Sequence, residues 1–287
     1  MNLAELSFDD IMMSEPAPVP ALKMVEKETV APKQDYFAID ALSYSKIKHM
    51  DNPIEFFEMF VEKSKEFKPT PSTVFGSALD LAMTEPEAYD KLIVKDCKST
   101  GLEGHVTIIQ KETISKMINR LRGFDAWIND DFIKSDGSYY KLGEILDHST
   151  KQEELQFDFC GEKFKAKLDF LLPNGTIIDL KSTVAESIAE FKKQIEKMGY
   201  YIQAAIYCYA MSLKLGYMPD FYFIGISTKS KNKVFVIKCS EEMIQAGLIH
   251  ATKLTEKYKD YRDNNRWLEY EPMEIMDLST WKLKEIL

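Results

Sequence analysis

Apolar and polar positions alternate most clearly from Phe164 to Thr183, FKAKLDFLLPNGTIIDLKST. Lys163, Lys165, Lys167 and Asp169 share one parity, and Phe164, Ala166, Leu168 and Phe170 share the other, as on the two faces of a strand. Pro173-Asn174-Gly175 is a reversal signal, so the stretch predicts a hairpin whose second strand begins at Ile177-Ile178. On that strand Asp179 and Lys181 point to one side and Leu180 to the other. Such a hairpin brings Asp169 across from Asp179 and gathers two carboxylates and one ammonium in a small volume. Ile177, Ile178 and Leu180 mark a core strand, where charged groups are rarely placed without a partner or a metal.

The rest of the chain reads as helices around further strands. A helical region is expected from Ser43 to Phe60 with a break at Pro53, its Phe56, Phe57, Phe60 and Val61 facing a core. A capped, buried helix follows from Ser72 or Thr73 to Glu85, with Asp80 among apolar neighbours and Gly76 one turn before it. Val106 to Trp127 carries a helical stripe, Leu142 to Leu146 suggests the start of a strand, and Gln152 to Phe159 alternates weakly. Ala185 to Leu215 predicts two helices parted at Gly199, the second holding Gln203 and Tyr207 on one face. Phe221–Ile226 and Val234–Ile237 are strands, the first apolar throughout, as in a sheet covered on both faces. Ser240 caps a helix from Glu241 to about Asn264. These elements predict an α/β (α+β) fold with a central mixed β-sheet flanked by helices.

Charge and composition refine this picture. Residues 1–35 carry seven acids against three lysines and four prolines, which reads as a disordered acidic tail ahead of a single domain over 36–287. The formal net charge of −9 argues against a uniformly basic nucleic-acid-binding surface, though not against a local basic path. Cys97, Cys160, Cys208 and Cys239 form no C-x-x-C pair, and the four histidines have no metal-ligand spacing, so a zinc site or disulfide scaffold is not expected. No signal peptide and no membrane-length apolar run are present, which leads to the expectation of a cytoplasmic protein without membrane contact.

Two acids beside a lysine suit a hard divalent cation such as Mg²⁺ or Mn²⁺. Taken in order, Gly76-x-x-x-Asp80, Asp169, Asp179-x-Lys181 and Gln203-x-x-x-Tyr207 resemble the PD-(D/E)xK nuclease superfamily. Within it they look most like the exonuclease VIII (RecE-type) and lambda exonuclease branch. Leu42-Ser43-Tyr44-Ser45, Pro69-Thr70-Pro71 and Glu85-Pro86-Glu87 add to the likeness. The resemblance implies a restriction-endonuclease-like core. It also implies a Mg²⁺-dependent (or Mn²⁺-dependent) exonuclease that degrades linear double-stranded DNA, 5′ to 3′, leaving overhangs for recombination. Asp169 and Asp179 would then be metal ligands together with the Leu180 carbonyl. Lys181 would position the attacking water, and Gln203 and Tyr207 would support the site and contact the cut strand. Where related enzymes often carry His on the first helix this chain has Asp80, with Glu85 a second candidate ligand, and Leu168 stands in place of the Pro before the first Asp. The same likeness implies a bacterial or phage setting, a trimeric or tetrameric ring, DNA ends as substrate and a single-strand annealing protein as partner.

Lys163, Lys165 and Lys167 lie on the parity of Asp169. They could lead a DNA backbone to the metal, or equally serve as a charged edge that blocks strand pairing. A related nuclease type with an iron–sulfur cluster is disfavoured, because the four cysteines lack its one-plus-three arrangement. The alternative from another class is a non-catalytic module that keeps the fold and binds DNA or protein.

Overall fold

The computed structural model describes residues 36–95, 105–125, 134, 137–229 and 231–267. The expected acidic tail, the last residues of the helix expected to reach Trp127 and the end of the domain expected over 36–287 fall outside that range. The described strands are β1 (Ile93–Lys95), β2 (His105–Thr107), β3 (Thr150–Phe159), β4 (Glu162–Leu171), β5 (Ile177–Thr183), β6 (Phe221–Ser227) and β7 (Val234–Lys238). β1 and β2 form a short parallel pair, and the other five form one mixed sheet in the order β3-β4-β5-β6-β7. Only β5 and β6 run parallel within it, joined by a helical crossover, while the remaining neighbours are antiparallel.

The turn between β4 and β5 forms where the sequence placed it. Gly175 sits at φ +87°, its N–H donates to Leu172 O at 2.9 Å, and the Asn174 side chain accepts from Thr176 N at 3.1 Å.

Helices cover both faces of the sheet. On one side α1 (Pro71–Thr84) and α2 (Ile108–Arg122) bury Ala78, Leu79, Ile114, Met117 and Leu121 against Ile178, Leu180 and Ile224. α1 starts at Pro71, one or two residues ahead of the expected start, because the Thr70 hydroxyl caps it by accepting from Thr73 N at 3.2 Å and Pro71 can occupy the first turn. On the other side α3 (Ile188–Lys197) and α4 (Tyr200–Leu215) set Phe191, Ile195, Ala204 and Cys208 against Ile177, Phe221 and Phe223. Gly199, at φ +67°, parts these two helices as expected. α5 (Glu241–Asp263), capped by Ser240, packs on α4. No helix among the described residues is long and apolar enough to cross a membrane.

The Ser43–Phe60 region is helical and restarts at Pro53 as expected, built from the short helical pieces Tyr44–Ile47 and Lys48–Asp51, then Pro53–Phe56 and Phe57–Val61. Phe56 and Phe57 stack on Trp267, beyond α5, which ties this region to the chain that follows that helix. Leu142–Asp147 is a helix and not a strand. The Glu144 carboxylate accepts from Lys141 N at 2.6 Å and starts the turn.

β6 carries Gly225 at the point where α3 comes closest. Added there, a Cβ would lie 2.6 Å from the Phe191 ring, which is fully buried and stacked on Phe235. Gly225 pairs with Lys181 on β5, so this contact supports the sheet next to the charged cluster. Replacing Gly225 with Ala should therefore destabilise the protein by about 1–3 kcal/mol through overpacking, read as a lower urea midpoint at unchanged slope.

Candidate active site

Strand pairing lapses along one row of the sheet. Lys151 pairs with Phe170 and Glu153 with Leu168, but Gln152 and Asp169 between them form no pair. The β4–β5 ladder holds only Phe170–Ile178 and Leu171–Ile177, and it stops where Asp169 would meet Asp179. Farther along, the same edge of β4 is taken by Leu42, which donates to Lys163 O and accepts from Lys165 N at 2.9 and 2.8 Å. A notch is left in the sheet between the two pairings. The Leu180 amide, which loses its ladder partner there, donates to Asp169 Oδ2 at 2.9 Å.

Asp179, Lys181, Gln203 and Tyr207 form a closed network at this notch. Lys181 Nζ stands 2.7 Å from Asp179 Oδ2 and donates to Gln203 Oε1 at 3.1 Å. Gln203 Nε2 in turn donates to Asp179 Oδ1 at 2.9 Å and to the Tyr207 hydroxyl at 3.1 Å. The i, i+4 spacing on α4 puts the amide and the phenol side by side, as the sequence indicated. Tyr200, one turn earlier, lays its ring under Lys181 at 4.7 Å.

Asp80 reaches the same place from α1, on the opposite face. Gly76 allows this approach, because a Cβ there would meet Ser182 Oγ at 3.2 Å. Burial raises the Asp80 pKa to about 6, and Asp179 adds to the rise against the pull of Lys181 and Lys167. Asp169 is pushed well above the usual carboxylate range by burial, then by Asp80 and Asp179. Asp179 is also raised by burial, with Lys181 acting in the opposite sense. For Lys181, burial works against the ammonium, but Asp179 and Asp169 outweigh it and hold the pKa above the ordinary value. Burial and the two acids lift the Tyr207 phenol far up as well, so it stays protonated and can act as a donor. Three acids thus share one immediate ammonium, and the cluster is short of positive charge.

Residues 43–278 match the family described as PDDEXK-like domain of unknown function (DUF3799). The chain belongs to that family. Its PDDEXK-like fold is also that of a candidate exonuclease from Eubacterium rectale. That structure superposes with a TM-score of 0.60 at 14% identity, covering 89% of this chain and 98% of the other. A phage-related exonuclease from Haemophilus somnus covers 71% of this chain and 98% of its own at 12% identity, but the TM-score of 0.31 lends it no weight. No curated protein matches the sequence.

The PDDEXK-like site offers oxygen donors suited to a hard cation. Asp179 Oδ2 is buried and has the Lys181 ammonium 2.7 Å away as its ion-pair partner. Among the described residues no three His, Cys, Asp or Glu side chains form a ready-made metal group. Mg²⁺ needs no such group, since it commonly takes one or two carboxylates and completes its shell with water and substrate phosphate. Asp179 and Asp169, with Asp80 from the other face, are the residues that could hold it.

Other predicted residues are placed differently. Glu85 ends α1, pairs with Lys167 at 3.7 Å and lines the cleft that also holds Asp80. Leu180 buries its side chain in the core and meets the site through its amide. The three-lysine path does not form. Lys163 is exposed and bound to Asp158 at 2.7 Å, while Lys165 is 4% exposed. Its ammonium donates to Tyr36 O and Ile39 O at 2.7 and 2.8 Å, because residues 36–42 lie over that stretch of β4. Of the three, Lys167 alone faces the acids, in a cleft of about 480 Å³ shared with Asp80, Glu85 and Gln152. Sequence reading missed Gln152, Tyr200 and Lys48. Lys48 sits 5.6 Å over the Tyr44 ring, and its pKa is lowered by burial and by Lys181. A basic residue in a short turn carries no signal of such proximity.

The raised Asp80 pKa sets a sign for stability. The folded state holds a proton that the unfolded state has released between about pH 4 and pH 6, so without metal the protein loses stability as pH rises through that window. Asp80→Asn should raise the metal-free melting temperature at pH 7.5, by the equivalent of about 1–3 kcal/mol, and the gain should vanish below about pH 4. At Asp169 the backbone decides. Asn keeps an acceptor for the Leu180 amide and should be more stable than Ala by about 1–2 kcal/mol in urea unfolding.

Proposed function

We propose that this chain is a divalent-metal-dependent deoxyribonuclease that hydrolyses phosphodiester bonds from the ends of linear double-stranded DNA. The observation that carries this reading is the set of three acids, Asp80, Asp169 and Asp179, gathered at the notch around the single Lys181 ammonium that Asp179 and Gln203 hold. A divalent cation bound at Asp179 and Asp169 would neutralise phosphoryl charge and make water a better nucleophile. Lys181 is held by Asp179 and Gln203 so that its ammonium orients the attacking water and stabilises charge growing on the phosphate. Gln203 fixes the distance between the acid and the amine. Tyr207, kept protonated, can donate to a phosphate oxygen of the cut strand. Lys167 and Lys48 supply positive charge locally, which reconciles a net charge of −9 with a polyanionic substrate.

The order of the motifs supports the RecE-type branch, and the name given to the Eubacterium rectale protein agrees with an exonuclease. On that reading the enzyme degrades 5′ to 3′ with Mg²⁺ or Mn²⁺, works as a ring of identical subunits, and hands its overhangs to a single-strand annealing protein in the cytoplasm of a bacterium or phage-infected host.

The test uses an end-labelled linear duplex beside a closed circle of the same sequence. With Mg²⁺ or Mn²⁺ the linear DNA should shorten from its ends and the circle should survive. Lys181→Ala and Asp179→Ala should each lower the rate at least ~10²-fold. A wild-type protein that binds the duplex but leaves it intact in both metals would instead be a binding module built on this fold.

A further inference from the structure

Gln152 lies within β3 with φ +55°, a left-handed conformation that side chains other than Gly, Asn and Asp adopt at a cost. The other five non-glycine residues with positive φ among the described residues, Lys63, Cys160, Lys231, Asn232 and Asn265, all lie outside the helices and strands. No turn or register shift accounts for the conformation at 152. The β3–β4 register is the same before and after it, so no residue is inserted, and a single pair opposite Asp169 is given up. The twist aims the side chain at α1. Gln152 Nε2 faces both Asp80 oxygens, at 3.5 and 3.4 Å, long contacts with a charge that the fold otherwise leaves poorly supported. Gln152 also lines the cleft that leads to Asp80 and Lys167.

We propose that Gln152 is a positioning residue: its strained backbone holds the amide against the Asp80 carboxylate and fixes that acid toward Asp169 and Asp179, and so sets how tightly the site takes a divalent cation. The inference rests on the metal-dependent reading above and adds to it a residue outside the motif order. Backbone strain retained in a strand, facing an acid from another element, has a functional rather than a folding rationale. An unstrained residue would pair with Asp169 and leave Asp80 without a donor.

The two roles separate in a pair of variants. Gln152→Gly relieves the strain and removes the amide. Gln152→Asn tolerates the left-handed backbone, but its amide is one methylene too short to reach. Mn²⁺ is titrated into the full-length protein without DNA by calorimetry, and thermal melting is followed in parallel. Both variants should bind Mn²⁺ about 10- to 100-fold more weakly than wild type. Gln152→Gly should melt at or above the wild-type temperature, with Gln152→Asn close to it. Variants that bind Mn²⁺ like wild type, or that lose binding only together with several degrees of melting temperature, overturn the inference while wild-type digestion of DNA leaves the nuclease reading intact. A wild-type protein that takes up no Mn²⁺ and cuts no DNA removes both.

Discussion

Every peptide group left without a partner inside a sheet must be satisfied in some other way, and this protein uses that requirement to build its charged site. The β4–β5 ladder ends after two pairs, and the freed Leu180 amide is taken by a carboxylate instead of a backbone oxygen. Asp169 is thereby fixed by the fold itself. Asp80 approaches these acids from one face of the sheet and Gln203 from the other. Leu42 closes the far end of the notch and residues 36–42 bury Lys165, so the opening stays confined to the acids.

Electrostatics then defines what the notch can hold. Burying several carboxylates around one ammonium is costly unless further positive charge arrives. Burial and mutual repulsion both push the acids toward their protonated forms, and the Lys181 ammonium relieves this only in part. The cation site proposed above rests on this deficit of positive charge. The hydrogen-bond ring through Gln203 keeps the one resident cation from collapsing onto a single oxygen, since that amide engages the acid and the amine together.

Much of this arrangement could be read from the chain. Asn174-Gly175 fixed the hairpin, strand parity put Asp179 and Lys181 on one side, and helical spacing joined Gln203 to Tyr207. The facing of Asp169 and Asp179 followed from those signals alone. Other features were hidden for definite reasons. Parity assigned Lys165 to a face but could not say that residues 36–42 would cover it. Gln152 is not a residue type that advertises a left-handed backbone, so neither the lapse in pairing nor its contact with Asp80 was visible. Leu142–Leu146 is too short for a period to separate helix from strand, and the Glu144 cap decided it. Glu85 follows Asp80 closely in sequence, and at the end of α1 it pairs with Lys167 in the cleft next to Asp80, a pairing that helix spacing could not indicate.

The charge-bearing machinery is divided unevenly along the polypeptide. Asp179, Lys181, Tyr200, Gln203 and Tyr207 belong to one uninterrupted segment, a strand and the two helices that return over it, whereas Asp80 hangs from a separate helix whose packing does not use that carboxylate. The first group is bound together by its own connectivity and tolerates little drift. The carboxylate at 80 is a replaceable fitting, because exchanging it for another side chain leaves the frame of strand and helices around it in place.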